Sequence, residues 1–150
     1  MSLLNLKNFH IESLVSVSPK RIIDFTSDKT SDKVKRLARN IGIEKKFVCE
    51  KGQFFSDLAK AGIFETLNKL KLTTDDVDSI ILVTQSSDYI IPGTAVLLQD
   101  RCGFSNDVLA FDINLGCSGY VYGLWNMYKI MQNGSYKKGL LLVGDTISKT

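Results

Sequence analysis

Four consecutive branched apolar residues, Ile80-Ile81-Leu82-Val83, leave a chain of this size few ways to fold. A half-exposed strand alternates apolar with polar side chains, whereas an unbroken apolar run has no face suited to water. Residues 79–84 are therefore predicted to form a strand covered on both faces by helices. The sequence around it supports that arrangement. A loop punctuated by Pro92 and Gly93 leads to a short predicted helix over 94–102, stopped by Gly103. A second strand is predicted over 108–113, a helix over about 118–132, and a last strand over 139–144. Such alternation implies an α/β fold with a parallel-rich sheet and right-handed crossovers.

The first half of the chain is read in the same way. Residues 3–6 and 9–17 have the β-branched, alternating character of strands, and Pro19 closes the second. Thr30, Ser31 or Asp32 caps a helix whose apolar residues Val34, Leu37, Ala38 and Ile41 fall at helical spacing, with Gly42 as its stop. Ser56 is predicted to cap a second helix that runs through Leu70 and buries Ala59, Gly62, Ile63, Leu67 and Leu70. No repeat, low-complexity tract or linker divides the chain. With 150 residues, 44% of them hydrophobic, one domain is expected, burying roughly 70% of its unfolded surface.

A formal net charge of +3 is too slight for a dedicated nucleic-acid binder. The cations that do cluster run from Lys29 and Lys33 through Arg36 and Arg39 to Lys51. They read first as a solvated helix face. The sharper reading is a docking surface for an acidic carrier protein or for nucleotide phosphates. Cys49, Cys102 and Cys117 are odd in number and lack metal-ligand spacing, so neither a disulfide framework nor a zinc site is expected, and a reducing cytoplasm fits. The N-terminus lacks the basic start and apolar core of a signal peptide, and no apolar run approaches the ~18 residues of a membrane span. A soluble, unprocessed chain is expected.

Gly116-Cys117-Ser118-Gly119 joins the predicted strand 108–113 to the helix that follows. Unpaired backbone N–H groups and the positive end of the helix dipole gather there, the setting in which a cysteine becomes a nucleophile near neutral pH. Gly116 is read as the tight or positive-φ entry to the turn, and Gly119 as a position that leaves the sulfur approachable. From spacing alone, a cysteine before an apolar helix is more often a buried structural thiol. Ligands in parallel sheets bind outside the carboxyl ends of the strands, which brings the 85–92 loop to the same place. Tyr120, Leu124, Tyr128 and Met131 follow helical spacing and read as packing, with Tyr120, one turn from Cys117, also a candidate for lining a pocket. His10 is the one histidine, and it lies far from Cys117 in sequence, so the cysteine has no evident general base of its own.

Taken in order, these elements resemble the N-terminal half of the thiolase-fold condensing enzymes, most closely the β-ketoacyl-acyl-carrier-protein synthase III family. Thr30-Ser31-Asp32 and Ile41-Gly42-Ile43-Glu44 resemble that family's T-S-D and T-G-I-x-x-R region. Asp57-Leu58-Ala59 resembles its D-L-A helix, and the segment from Asp78 to Thr84 its D-x-I-I-x-x-T strand. Asp88 to Pro92, Phe111-Asp112, Gly116-Cys117-Ser118-Gly119-Tyr120 and Leu142-Val143-Gly144-Asp145 continue the series. The resemblance implies a thiolase-like half-fold of layered, mostly parallel sheet and helices. It implies that Cys117 takes an acyl group from a thioester, after which a malonyl-type donor on an acyl carrier protein condenses with it. No cofactor is implied beyond the acyl-CoA or acyl-carrier thioester itself, and no metal.

The family's catalytic His and Asn lie in the C-terminal half and have no counterpart here. The resemblance further implies a homodimer in which residues 108–113 pair with their twofold mate and Ile91 points toward the partner's acyl pocket. The family's coenzyme A clamp pairs a Trp and an Arg. Here Arg36 and Arg39 stand near that region, while Trp125, the sole Trp, lies after Cys117, which favours a carrier-protein thioester or another acyl donor. Two functional readings follow: an acyltransferase working through Cys117, inactive in condensation as an isolated half, or a non-catalytic thiolase-like half that binds an acyl carrier protein or a complementary subunit. A cysteine hydrolase is the weakest reading, for want of a base.

Overall fold

The computed structural model describes residues 8–132 and 134–147. Its centre is a parallel three-stranded sheet in the order β4-β3-β5, formed by β3 (Ser79–Val83), β4 (Leu109–Ile113) and β5 (Gly139–Val143). In register, Ile81 of β3 stands between Phe111 of β4 and Leu141 of β5. All five residues of β3 are buried, as its unbroken apolar run requires.

Alternate residues of β3 feed two different layers. Ile80 and Leu82 enter a core with Ile63 and Leu67 of α2 (Phe55–Leu70) and with Ala95 and Leu98 of α3 (Thr94–Cys102). The other face receives α4 (Gly119–Met131) along a stripe of small and flexible residues, Gly119, Gly123 and Met127, all buried. A Cβ on Gly119 would stand 2.4 Å from Val83 Cγ1, and one on Gly123 2.7 Å from Leu141 Cδ1. The absent side chains let the helix backbone lie directly on the sheet.

The predicted elements from residue 79 onward all form within a residue or two of their expected ends. Gly42 and Gly103 stop their helices in the left-handed region, at φ 72° and 75°. The first half of the chain departs further from expectation. An antiparallel pair, β1 (Arg21–Asp24) with β2 (Lys45–Val48), flanks α1 (Asp32–Ile41) and was not anticipated. Its strands are short and mostly exposed, so the usual apolar alternation is weak. Residues 9–17 form no strand and pair with none. Their alternation instead places Val17 against Gly62 of α2 and Phe9 edge-on to Tyr128 of α4. The expected strand over 3–6 lies outside the described residues.

Two further expectations are corrected by packing. The apolar stripe of α1 forms at the predicted spacing, yet only Ala38 is buried, while Val34, Leu37 and Ile41 face outward. On α2, Ser56 does not act as the cap. Phe54 holds that position, its N–H donating to Asp57 Oδ2 at 2.8 Å, and Ser56 is fully buried within the first turn. Gly62 and Leu70 are only partly covered, and Phe55 takes a core position in their place. Among the described residues, no helix is long and apolar enough to cross a membrane.

Candidate active site

Parallel strands bring their carboxyl ends together, and the turn after β4 therefore lies beside the loop after β3. The Gly119 N–H donates to the Gly116 carbonyl at 2.8 Å, closing a tight turn with Cys117 and Ser118 at its centre. Ser118 is the N-cap of α4 in αR geometry, with no side-chain cap bond, and its carbonyl accepts the Val121 and Tyr122 N–H groups. Cys117 is the exposed cysteine of the three. Cys49 and Cys102 are buried, and burial pushes the Cys102 thiol above its ordinary pKa.

The glycines flanking Cys117 act differently from expectation. Gly116 does not have a positive φ. Its neighbour is Gln85, whose Oε1 would stand 3.4 Å from a Cβ at that position, an ordinary van der Waals distance. Gly119 faces the sheet, so it serves the close approach of α4 to Val83 rather than access to the sulfur.

Carboxylates at the strand ends hold the surrounding loops. Asp112, on β4, accepts the Thr94 and Ala95 N–H groups at 2.6 and 2.7 Å, placing a negative charge at the N-terminus of α3. Asp145, just beyond β5, accepts the Thr84 hydroxyl, the Gln85 N–H and the Ser86 hydroxyl at 3.0, 2.6 and 3.1 Å. Asp88 accepts the Ser56 N–H at 3.2 Å and donates its own N–H to Thr94 Oγ1 at 3.1 Å. The Arg101 guanidinium donates to Ser56 Oγ and pairs with Asp57 at 2.8 Å, a contact that raises its pKa further. Asp112 and Asp145 were noticed in sequence only as parts of motifs. The signal that marks their role is position, since an acid one residue before or two after the end of a parallel strand faces the neighbouring loop or helix start.

A model of the 3-oxoacyl-[acyl-carrier-protein] synthase III family matches residues 111–150, the stretch that carries Cys117 and α4. The β-ketoacyl-[acyl-carrier-protein] synthase III of Fusobacterium nucleatum is 36% identical over 130 residues, 87% of this chain and 37% of that protein. The synthase III of Thiobacillus denitrificans is 31% identical over 96% of this chain and 40% of its own length. This chain belongs to the synthase III family.

The crystal structure of a 3-oxoacyl-(acyl-carrier protein) synthase from Burkholderia xenovorans LB400 superposes with a TM-score of 0.82 at 34% identity, over 89% of this chain and 39% of that one. The chain thus spans about two-fifths of the length of these synthase III relatives, matching their N-terminal part.

Among the predicted site residues, the structure brings Cys117 and the 85–92 loop to one end of the sheet. Ile91 sits in that loop, 85% exposed, next to Ile90 and Tyr89, which are also uncovered. Tyr120 is exposed on the outer side of α4 together with Val121, Tyr122 and Trp125, and so is not core packing; of its predicted stripe only Tyr128 is buried. Arg36 and Arg39 are not gathered at Cys117. With Asp32, Lys35 and Asn40 they line a separate shallow cavity of about 440 Å³ along α1. A second cavity of about 330 Å³ lies between Val17, α2 and the end of β5, reaching Cys49 but not Cys117. His10 is held by Glu12 at 2.6 Å on the surface. Among the described residues, no group of His, Cys, Asp or Glu is disposed to hold a metal ion.

Proposed function

We propose that this chain supplies the nucleophile-bearing part of a condensing acyltransferase of the synthase III type. The observation that carries the reading is the exposure of Cys117 on a tight turn between β4 and α4, within the very segment the family model matches. In the proposed step, Cys117 Sγ gives up its proton and attacks the carbonyl carbon of an acyl thioester. The new C–S bond forms, the bond to the original thiol breaks, and that thiol leaves carrying the proton equivalent. The N-terminal end of α4 favours the negative charge of the tetrahedral intermediate.

Condensation with a malonyl-type unit on an acyl carrier protein then requires an acid–base group to activate the donor, and the one histidine of this sequence, His10, is engaged with Glu12 on the surface. Acyl loading is accordingly the half-reaction assigned to it. We further propose a homodimer joined through β4, which is an outer strand of the sheet, and a cytoplasmic setting. Arg36, Arg39 and the neighbouring lysines are proposed as a docking surface for the acidic carrier protein, and Ile91 and Tyr120 as walls of the acyl site.

A second reading is favoured by the uncovered apolar side of α4, where Tyr120, Val121, Tyr122 and Trp125 are exposed. That surface suits a non-catalytic half that docks a complementary subunit. Intact-protein mass spectrometry after incubation with short and medium acyl thioesters separates the two. An added acyl mass that is absent in Cys117→Ser is expected. No adduct with any thioester would move the assignment to the docking reading.

A further inference from the structure

We propose that Gln85 is the substrate-orienting residue of the Cys117 site, its carboxamide set beside the nucleophile by a clamp built on Asp145. The inference rests on the acyl-transfer reading and extends it to how the incoming thioester is held.

Gln85 leaves β3 two residues beyond Val83, where an exposed loop would ordinarily sample many conformations. Here its backbone is tied down. Asp145 Oδ1 alone accepts the Gln85 N–H at 2.6 Å, the Thr84 hydroxyl at 3.0 Å and the Ser86 hydroxyl at 3.1 Å. Thr84 Oγ1 in turn accepts the Ser86 N–H at 3.0 Å, and Ser86 Oγ accepts the Thr146 N–H at 2.8 Å. Both sides of the clamp are thereby closed, and Thr84 and Thr146 are buried beneath it.

With its backbone fixed, the Gln85 side chain reaches Gly116, the residue before Cys117. Its Oε1 falls 3.4 Å, and its Cδ and Nε2 3.7 Å, from where a Cβ of Gly116 would stand. The carboxamide thus packs at ordinary van der Waals distance from that position. Among the described residues that carboxamide has no hydrogen-bond partner, so a donor and an acceptor both stand open beside Gly116, which precedes Cys117 in the turn. A neutral amide suits a thioester carbonyl. It donates to the oxygen as negative charge develops there, and it brings no charge of its own to oppose the thiolate. Asp145 is a positioning residue in this arrangement, since it acts through Gln85.

The test uses the purified chain, S-acetyl-N-acetylcysteamine as a small neutral thioester, and methyl methanethiosulfonate as a thiol reagent that carries no carbonyl. Intact mass follows the rate of Cys117 modification by each. Gln85→Ala is expected to slow acetylation about fivefold, the worth of one neutral hydrogen bond, while thiosulfonate modification stays within about twofold. Asp145→Asn is expected to show the same selective loss, and Gln85→Asn to recover part of it, with far-UV circular dichroism unchanged in all three. Equal acetylation of the parent chain and Gln85→Ala, or equal slowing of both reagents, overturns the inference while leaving acyl transfer standing. A parent chain that is not acetylated at Cys117 overturns the acyl-transfer reading and this inference together.

Discussion

Gly119 and Cys117 are two positions apart and answer to different demands. Cys117 is exposed because the turn lifts it off the sheet, whereas Gly119 is buried because α4 must lie against Val83. A methyl group at residue 119 would meet Val83 Cγ1 at 2.4 Å, so Gly119→Ala should destabilise the fold by about 1–3 kcal/mol. That outweighs the gain of about 1 kcal/mol that alanine brings inside a helix. Urea unfolding should show the loss, and adding Val83→Ala to the same chain should recover part of it by vacating the clash. In sequence, both glycines around Cys117 read as devices for turning and access. At Gly119 the missing side chain makes space for Val83, a neighbour distant along the chain, and local sequence does not announce it.

At the scale of elements, the hydrogen-bonded ends were harder to foresee than the helices and strands themselves. Helical spacing located α1, α2 and α4, and the Pro92-Gly93 loop and Gly103 bracketed α3, because these signals follow from local geometry. The acids that cap them are local only in part. Asp76 serves the short 3-10 turn Thr74–Asp76 from within, accepting the Thr73 N–H and hydroxyl at 2.8 and 3.0 Å. Asp112 caps α3 from another strand altogether. The bond from the Thr73 N–H is the main reason the Asp76 carboxyl lies below its ordinary value of 3.8, with the Thr73 hydroxyl next and Lys138 adding to it. A carboxyl lowered on folding stabilises the native state above its unfolded value and loses that contribution as pH falls through the folded one. Asp76→Asn should therefore lower Tm near neutral pH, and the gap from the parent chain should close as pH drops below 3.8. A gap that persists in acid would assign the effect to the amide's shape rather than to charge.

Across the whole molecule, burial is distributed unevenly. The sheet of β3, β4 and β5 with α2, α3 and α4 holds most of the core, while β1, α1 and β2 contribute Ala38 and Val48 and leave Ile22, Leu37, Ile41 and Phe47 outward. Amide hydrogen exchange should accordingly be slowest in β3 and fast in α1, whose opening exposes little additional apolar surface. Equal protection in the two would mean that the apolar side of α1 is covered in solution, as by a second copy. The sequence by itself determined the strand-helix order from Ser79 onward, the helix stops at Gly42 and Gly103, and the placement of Cys117 between a strand and a helix, because those features depend on neighbours within a few residues. Only the tertiary structure decided that residues 9–17 brace two helices without joining a sheet, that Arg36 and Arg39 stand apart from the cysteine, and that Asp145 holds the Gln85 backbone while its side chain meets Gly116. Each of those outcomes depends on segments that meet only after the chain has folded, and no local periodicity encodes such a meeting.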